Sequence, residues 1–124
     1  GVRLIHPHFC VVGTLAGLAP ETDAIPVNIT APEALLFRIF SRATDVFQFG
    51  MLMWELWTCT TPFAALDAFE VGQLIVAGKR PAPPADMPRA VVALMESAWS
   101  QDPHARPDIE SVNRTLRQLL DNDR

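Results

Sequence analysis

From Thr44 to Thr58 the sequence predicts a helix with apolar side chains on every face: Val46, Phe47, Phe49, Met51, Leu52, Met53, Trp54, Leu56 and Trp57, interrupted only by Gln48 and Glu55. A helix that is apolar all round must be enclosed by other elements. The run is too short to escape that requirement by crossing a bilayer. In a chain of 124 residues the remaining segments must therefore be arranged around one central rod. With 49% apolar residues, the chain has enough material to supply the enclosing faces. Ser41, Thr44 and Asp45 stand just before the rod and are its candidate caps.

The flanking segments read as shorter helices. Asp67 followed by Glu70 forms a capping-box helix start, and Gly78 suits the left-handed position that ends such a helix. Pro88 suits a first helical turn, and Val91, Leu94, Met95 and Ala98 then share one stripe. Asp108 can cap a last helix whose buried face is Ile109, Val112, Leu116, Leu119 and Leu120. Pro81 to Pro88 form a stiff connector. At the other end, Val2-Arg3-Leu4-Ile5 and Phe9-Cys10-Val11-Val12 flank His6-Pro7-His8 and read as a small β hairpin. Residues 13–30 have no period and read as loop. There is no internal repeat. The expected fold is mainly α, a helical body around one buried central helix with a short N-terminal β hairpin.

The net charge of −4 comes with no basic run, so the chain lacks the electrostatic footprint of a nucleic-acid or anionic-membrane binder. Two cysteines and no secretory signal make a cytoplasmic setting the expectation. His6, His8 and Cys10 alternate, share one strand face and are a candidate metal set. They lack an evident fourth ligand, and ordinary turn residues are the plainer reading. The chain opens with Gly1 rather than Met and enters strand-like sequence at once, as a fragment of a larger protein would.

Short motifs recur in a fixed order: Ala31-Pro32-Glu33, Asp45-Val46-Phe47-Gln48-Phe49-Gly50, Trp54-Glu55-Leu56, Gly78-Lys79-Arg80-Pro81 and Asp102-Pro103-His104-Ala105-Arg106-Pro107, with Trp99 shortly before the last. Together they resemble the C-terminal lobe of a protein kinase of the tyrosine-kinase or tyrosine-kinase-like branch. The resemblance implies a division into residues 1–30, a partial hairpin and activation-segment-like loop, and residues 31–124, the helical subdomain. It implies that Glu33 and Arg106 form a buried ion pair anchoring the activation segment, an arrangement suited to the bidentate grip of a guanidinium on a carboxylate. It also implies that Asp45 receives backbone amides of a catalytic loop, and that Pro26-Val27 belongs to a substrate-docking loop. Asn28, Ile29 and Thr30 depart from the basic residue, Trp and Met common there in tyrosine kinases. Phe47 and Gln48 replace the usual Trp and Ser.

Aligned on Gly17-Leu18-Ala19, the family's metal-binding Asp-Phe-Gly motif falls on Leu15, Ala16 and Gly17. Leucine offers no oxygen to a hard cation, and the aspartate of that motif is what holds Mg²⁺ on the ATP phosphates. The resemblance places the phosphate loop, the strand lysine and the catalytic loop before Gly1. No catalytic, cofactor or metal residue is therefore expected in this chain, although an intact parent kinase would use ATP and Mg²⁺. Two functions stay open. One is a scaffold and substrate-docking floor of an active protein kinase, inactive alone. The other is a piece of a pseudokinase serving as an interaction or allosteric module. The expected partners are the missing N-lobe and catalytic loop, and a protein substrate or protein partner.

Overall fold

The computed structural model describes residues 26–122. A 3-10 turn at Val27–Ile29 leads into α1 (Pro32–Phe37), α2 (Arg42–Thr58), α3 (Ala68–Val76), α4 (Arg89–Ala98), a second 3-10 turn at Pro103–Ala105, and α5 (Ile109–Asn122). Among the described residues there is no strand. The fold is mainly α, and α2 is its central helix. The predicted hairpin, the His6, His8 and Cys10 set and the Leu15-Ala16-Gly17 motif lie outside the described residues.

Each helix starts and stops for a local reason. Ser41 caps α2: its hydroxyl accepts from the Thr44 amide at 3.4 Å while the Thr44 hydroxyl accepts from the Ser41 amide at 3.2 Å. The helix thus begins at Arg42, ahead of the predicted Thr44, and Asp45 is not its cap. The extended backbone of Ser41 is what aims a short hydroxyl at the amides of the first turn. Asp45 is already helical and exposed. In α3 the Asp67 and Glu70 carboxylates accept each other's backbone amides at 2.8 and 3.1 Å. Gly78, at φ 92°, closes that helix with paired bonds from the Gly78 amide to the Ile75 carbonyl and from the Lys79 amide to the Leu74 carbonyl, the double bond of a Schellman end. Pro88 precedes α4 with extended backbone instead of occupying its first turn. Asp108 accepts from the Ser111 amide at 2.7 Å at the start of α5.

The core is built on α2. Phe47 and Met51 pack with Ile29, Val71, Ile75, Met87, Met95 and Trp99, while Val46 packs with Leu94, Ala98 and Val112. Gly50 lets α4 approach closely: a Cβ there would lie 3.0 Å from the Ala98 Cβ and 3.1 Å from the Met95 carbonyl oxygen. The Pro-rich connector crosses the C-terminal half of α2 and satisfies its indoles, Trp54 Nε1 donating to the Ala82 carbonyl at 2.8 Å and Trp57 Nε1 to the Asp86 carboxylate at 3.0 Å.

Two packing expectations need correction. Phe49, Leu52, Met53, Trp54, Leu56 and Trp57 are only half-buried, because the described elements do not reach around the whole circumference of α2. Ile109 is 50% exposed. It is the first residue of α5, where the chain is still leaving the loop, and Val112 makes the buried contact instead.

Candidate functional site

Two features meet at α1: a buried ion pair at its start and an apolar groove along its end. The ion pair joins residues that are 73 positions apart. Arg106 Nη1 donates to Glu33 Oε2 at 2.7 Å and Nη2 donates to Glu33 Oε1 at 2.9 Å. The remaining guanidinium protons go to the Ala43 carbonyl at 2.9 Å, the Ser100 carbonyl at 2.9 Å and, at 3.5 Å, the Gln101 carbonyl. The Thr44 hydroxyl donates to Glu33 Oε2 at 2.9 Å. One threonine thus caps α2 and completes the shell of the carboxylate. Both charged residues are buried. Burial acts most strongly on Glu33 and opposes its charge. The hydrogen bonds from Arg106, from its own backbone and from Thr44, with the attraction of Arg106, outweigh it and hold the carboxyl below its ordinary value.

A second guanidinium shares this site. Arg106 and Arg80 lie over the Phe47 ring, at 5.0 and 4.8 Å from its centroid, within cation–π range. Arg80 donates to the carbonyls of Trp99 (2.9 Å), Lys79 (2.7 Å) and Ile75 (3.2 Å) and to the Gln101 side chain (2.7 Å), which itself donates to the Val76 carbonyl at 2.8 Å. Burial, then repulsion from Arg106, lowers the Arg80 guanidinium to about 10, against the pull of Glu33. It therefore remains charged at neutral pH and fastens the end of α3 to the end of α4. Sequence reasoning placed Arg80 in a motif but gave it no role. The signal was there: an arginine between a helix-ending glycine and a proline can use its fork on free C-terminal carbonyls.

The groove lies between α1 and α3. Val27, Leu35, Leu36, Ala68, Phe69, Gly72, Gln73 and Val76 line a space of about 340 Å³ that is almost wholly apolar. Val27 of the expected docking loop forms one wall. Pro26 is exposed at the start of the turn, and its carbonyl accepts from the Ile29 amide at 3.1 Å and the Thr30 hydroxyl at 2.7 Å. Asn28 ties the turn to the loop after α2 by donating to the Pro62 carbonyl at 2.7 Å. Sequence reasoning noted Asn28 only as a departure and missed the groove, whose α3 wall carries no motif.

The structure brings Glu33 and Arg106 together and leaves Asp45 apart from both the pair and the groove. Glu55 is a further buried acid, 4% exposed, and burial raises its carboxyl above the ordinary value. Among the described residues no group of three or more His, Cys, Asp or Glu could hold a metal ion, and no helix is long and apolar enough to cross a membrane.

Helices gathered on a central rod are consistent with the fold of a protein-kinase C-terminal lobe. The chain matches the family described as "Protein tyrosine and serine/threonine kinase" over residues 17–116 and belongs to it. It is 39% identical over 99 residues to Ephrin type-A receptor 1 of Homo sapiens, covering 79% of this chain and 10% of that protein. It is 40% identical over 93 residues to the tyrosine-protein kinase transforming protein Fps of Fujinami sarcoma virus, covering 74% and 11%. It is 38% identical over 90 residues to mitogen-activated protein kinase kinase kinase 10 of Mus musculus, covering 72% and 10%. The chain thus spans about a tenth of the length of these relatives, and they include both tyrosine and tyrosine-kinase-like kinases.

Proposed function

We propose that this chain is the scaffold and substrate-docking floor of a protein kinase domain whose parent transfers phosphoryl from ATP to protein side chains, and that the chain is inactive alone. The observation that carries this reading is the bidentate Glu33–Arg106 pair. It clamps the base of the segment bearing Val27 against α2, so that the turn and α3 hold a preformed apolar slot. Such a slot takes an apolar side chain of an extended peptide and leaves the peptide's polar backbone at the rim. Asp45, exposed on the first turn of α2, is free to receive amides of a catalytic loop. The alignment on Gly17-Leu18-Ala19 puts Leu15, a hydrocarbon, at the family's oxygen-ligand position, which supports the reading that this chain does not itself hold Mg²⁺ on ATP.

Leu15 also favours a second reading, a pseudokinase module in which the docking floor serves binding alone. One measurement tests the isolated chain and another separates the readings. Mg-ATP should leave the melting temperature of the 124-residue chain unchanged under both; a saturable rise would show that the chain itself binds the nucleotide and would overturn the expectation that it holds none. In the longer parent, Leu15→Asp should raise ATP-dependent phosphoryl transfer from background if the site decayed only there. Transfer by the unaltered parent would instead exclude the pseudokinase reading.

A further inference from the structure

The residues that border the docking groove continue outward as an apolar surface with charges of opposite sign at its two sides. Leu36 (54% exposed), Phe37 (68%), Ile39 (53%) and Phe40 (64%) follow one another through the end of α1 and the loop after it. Phe69 (73% exposed) projects from the first turn of α3 and shares the groove lining with Leu36. Taking about 200 Å² for a whole large side chain, these five expose on the order of 600 Å² of apolar surface. That is at or above the largest patch an ordinary monomer shows.

The flanks decide what the patch suits. On the α2 side stand Arg38 and Arg42, both exposed and without an ion-pair partner among the described residues. Arg42 faces a different cavity, one lined also by Pro103, His104 and Asp108, so Arg38, between Phe37 and Ile39, is the cation that adjoins the patch. On the α3 side stand Asp67 and Glu70, exposed on the same first turn as Phe69. A uniformly acidic partner would meet repulsion at Asp67 and Glu70, and a uniformly basic one at Arg38. A surface with an apolar centre and opposite charges at its ends is complementary to itself when turned by a two-fold axis.

We propose that this face is the interface of a reversible homodimer, in which Leu36, Phe37, Ile39, Phe40 and Phe69 of two copies pack together and Arg38 of each copy meets Glu70 of the other. Both copies together would bury on the order of 1,200 Å², the lower end of specific interfaces, so the dimer is weak and concentration-dependent. It also covers the mouth of the groove, so self-association and peptide docking exclude each other. The proposal does not depend on the kinase reading.

Sedimentation equilibrium of the full chain tests it. The expected result is a monomer–dimer equilibrium at micromolar concentration. Arg38→Glu, at an exposed position, should weaken it about tenfold or more, since an attractive contact becomes repulsive twice over. The double variant Arg38→Glu with Glu70→Lys should restore the dimer to within about threefold of the original. Phe37→Asp should abolish it in either background. A chain that stays monomeric, an association indifferent to Arg38→Glu, or a double variant that fails to recover would each overturn the proposal. Circular dichroism on each variant confirms that the comparison is between folded proteins.

Discussion

At the scale of single residues, Thr44 shows how much one hydroxyl can join. It accepts the Ser41 amide, closing the cap of α2, and donates to Glu33 Oε2. Arg106 supplies the rest of the carboxylate's shell from the far end of the chain. Removing one partner of such a buried pair strands the other charge, at a typical cost of about 3–5 kcal/mol. Arg106→Ala should therefore destabilise the chain by an amount in that range. Arg117→Ala, on the exposed face of α5, should change stability by less than about 0.5 kcal/mol. Thr44→Val should fall between them, at about 1–3 kcal/mol, because it removes one hydrogen bond to a charged group together with half of a cap. Urea unfolding of the three variants is the measurement, and similar midpoints for Arg106→Ala and Arg117→Ala would show that the pair does not hold the fold.

At the scale of elements, the two helical glycines make opposite predictions. Gly50 sits where α4 crosses α2, and any Cβ would press on Ala98 and on the α4 backbone. Backbone cannot yield as a side-chain tip can, so Gly50→Ala should cost about 1–3 kcal/mol. Gly72 lies in α3 beside the groove, where an added Cβ meets only Val27 Cγ1 at an ordinary 3.8 Å. There the loss of glycine's backbone freedom dominates, and Gly72→Ala should stabilise by about 0.5–1 kcal/mol. Thermal melts of both single variants would check the two signs. These elements also show what the sequence could and could not reveal. The helices were legible because caps and stripes are local: Asp67 with Glu70, Gly78, and the spacing of Leu94, Met95 and Ala98 need only near neighbours. The start of α2 was misplaced by two residues because Ser41, Thr44 and Asp45 are all competent caps, and the choice among them rests on backbone angles that composition does not encode. The groove was not legible at all. It is a gap between α1 and α3, and its emptiness depends on the path of two segments more than 30 positions apart.

At the scale of the whole molecule, two buried carboxyls give stability a peaked dependence on pH. Glu33 has a folded pKa below its ordinary 4.5, so the native state binds fewer protons there than the unfolded chain. Its contribution is complete above 4.5 and is lost as pH falls through the folded pKa. Glu55 has a folded pKa above its ordinary 4.5, so the native state keeps a proton that the unfolded chain releases. Its contribution is complete below 4.5 and is lost as pH rises through the folded pKa. The two losses run in opposite directions from the same point, and for these groups alone the chain is most stable close to it. Glu55→Gln keeps the shape of the side chain and removes the charge, so it should abolish the decline on the alkaline side while leaving the acid limb unchanged. Glu33→Gln should flatten the acid limb and lower stability at neutral pH, because Arg106 loses its counter-charge. Urea midpoints for the three proteins between about pH 3 and pH 8 would resolve both limbs. If Glu55→Gln follows the unaltered chain across that span, then Glu55 ionises in the folded state as readily as in the unfolded one. The low exposure of its position on α2 would then not amount to desolvation, and the half-buried side of that helix would be wetter than its apolar composition implies.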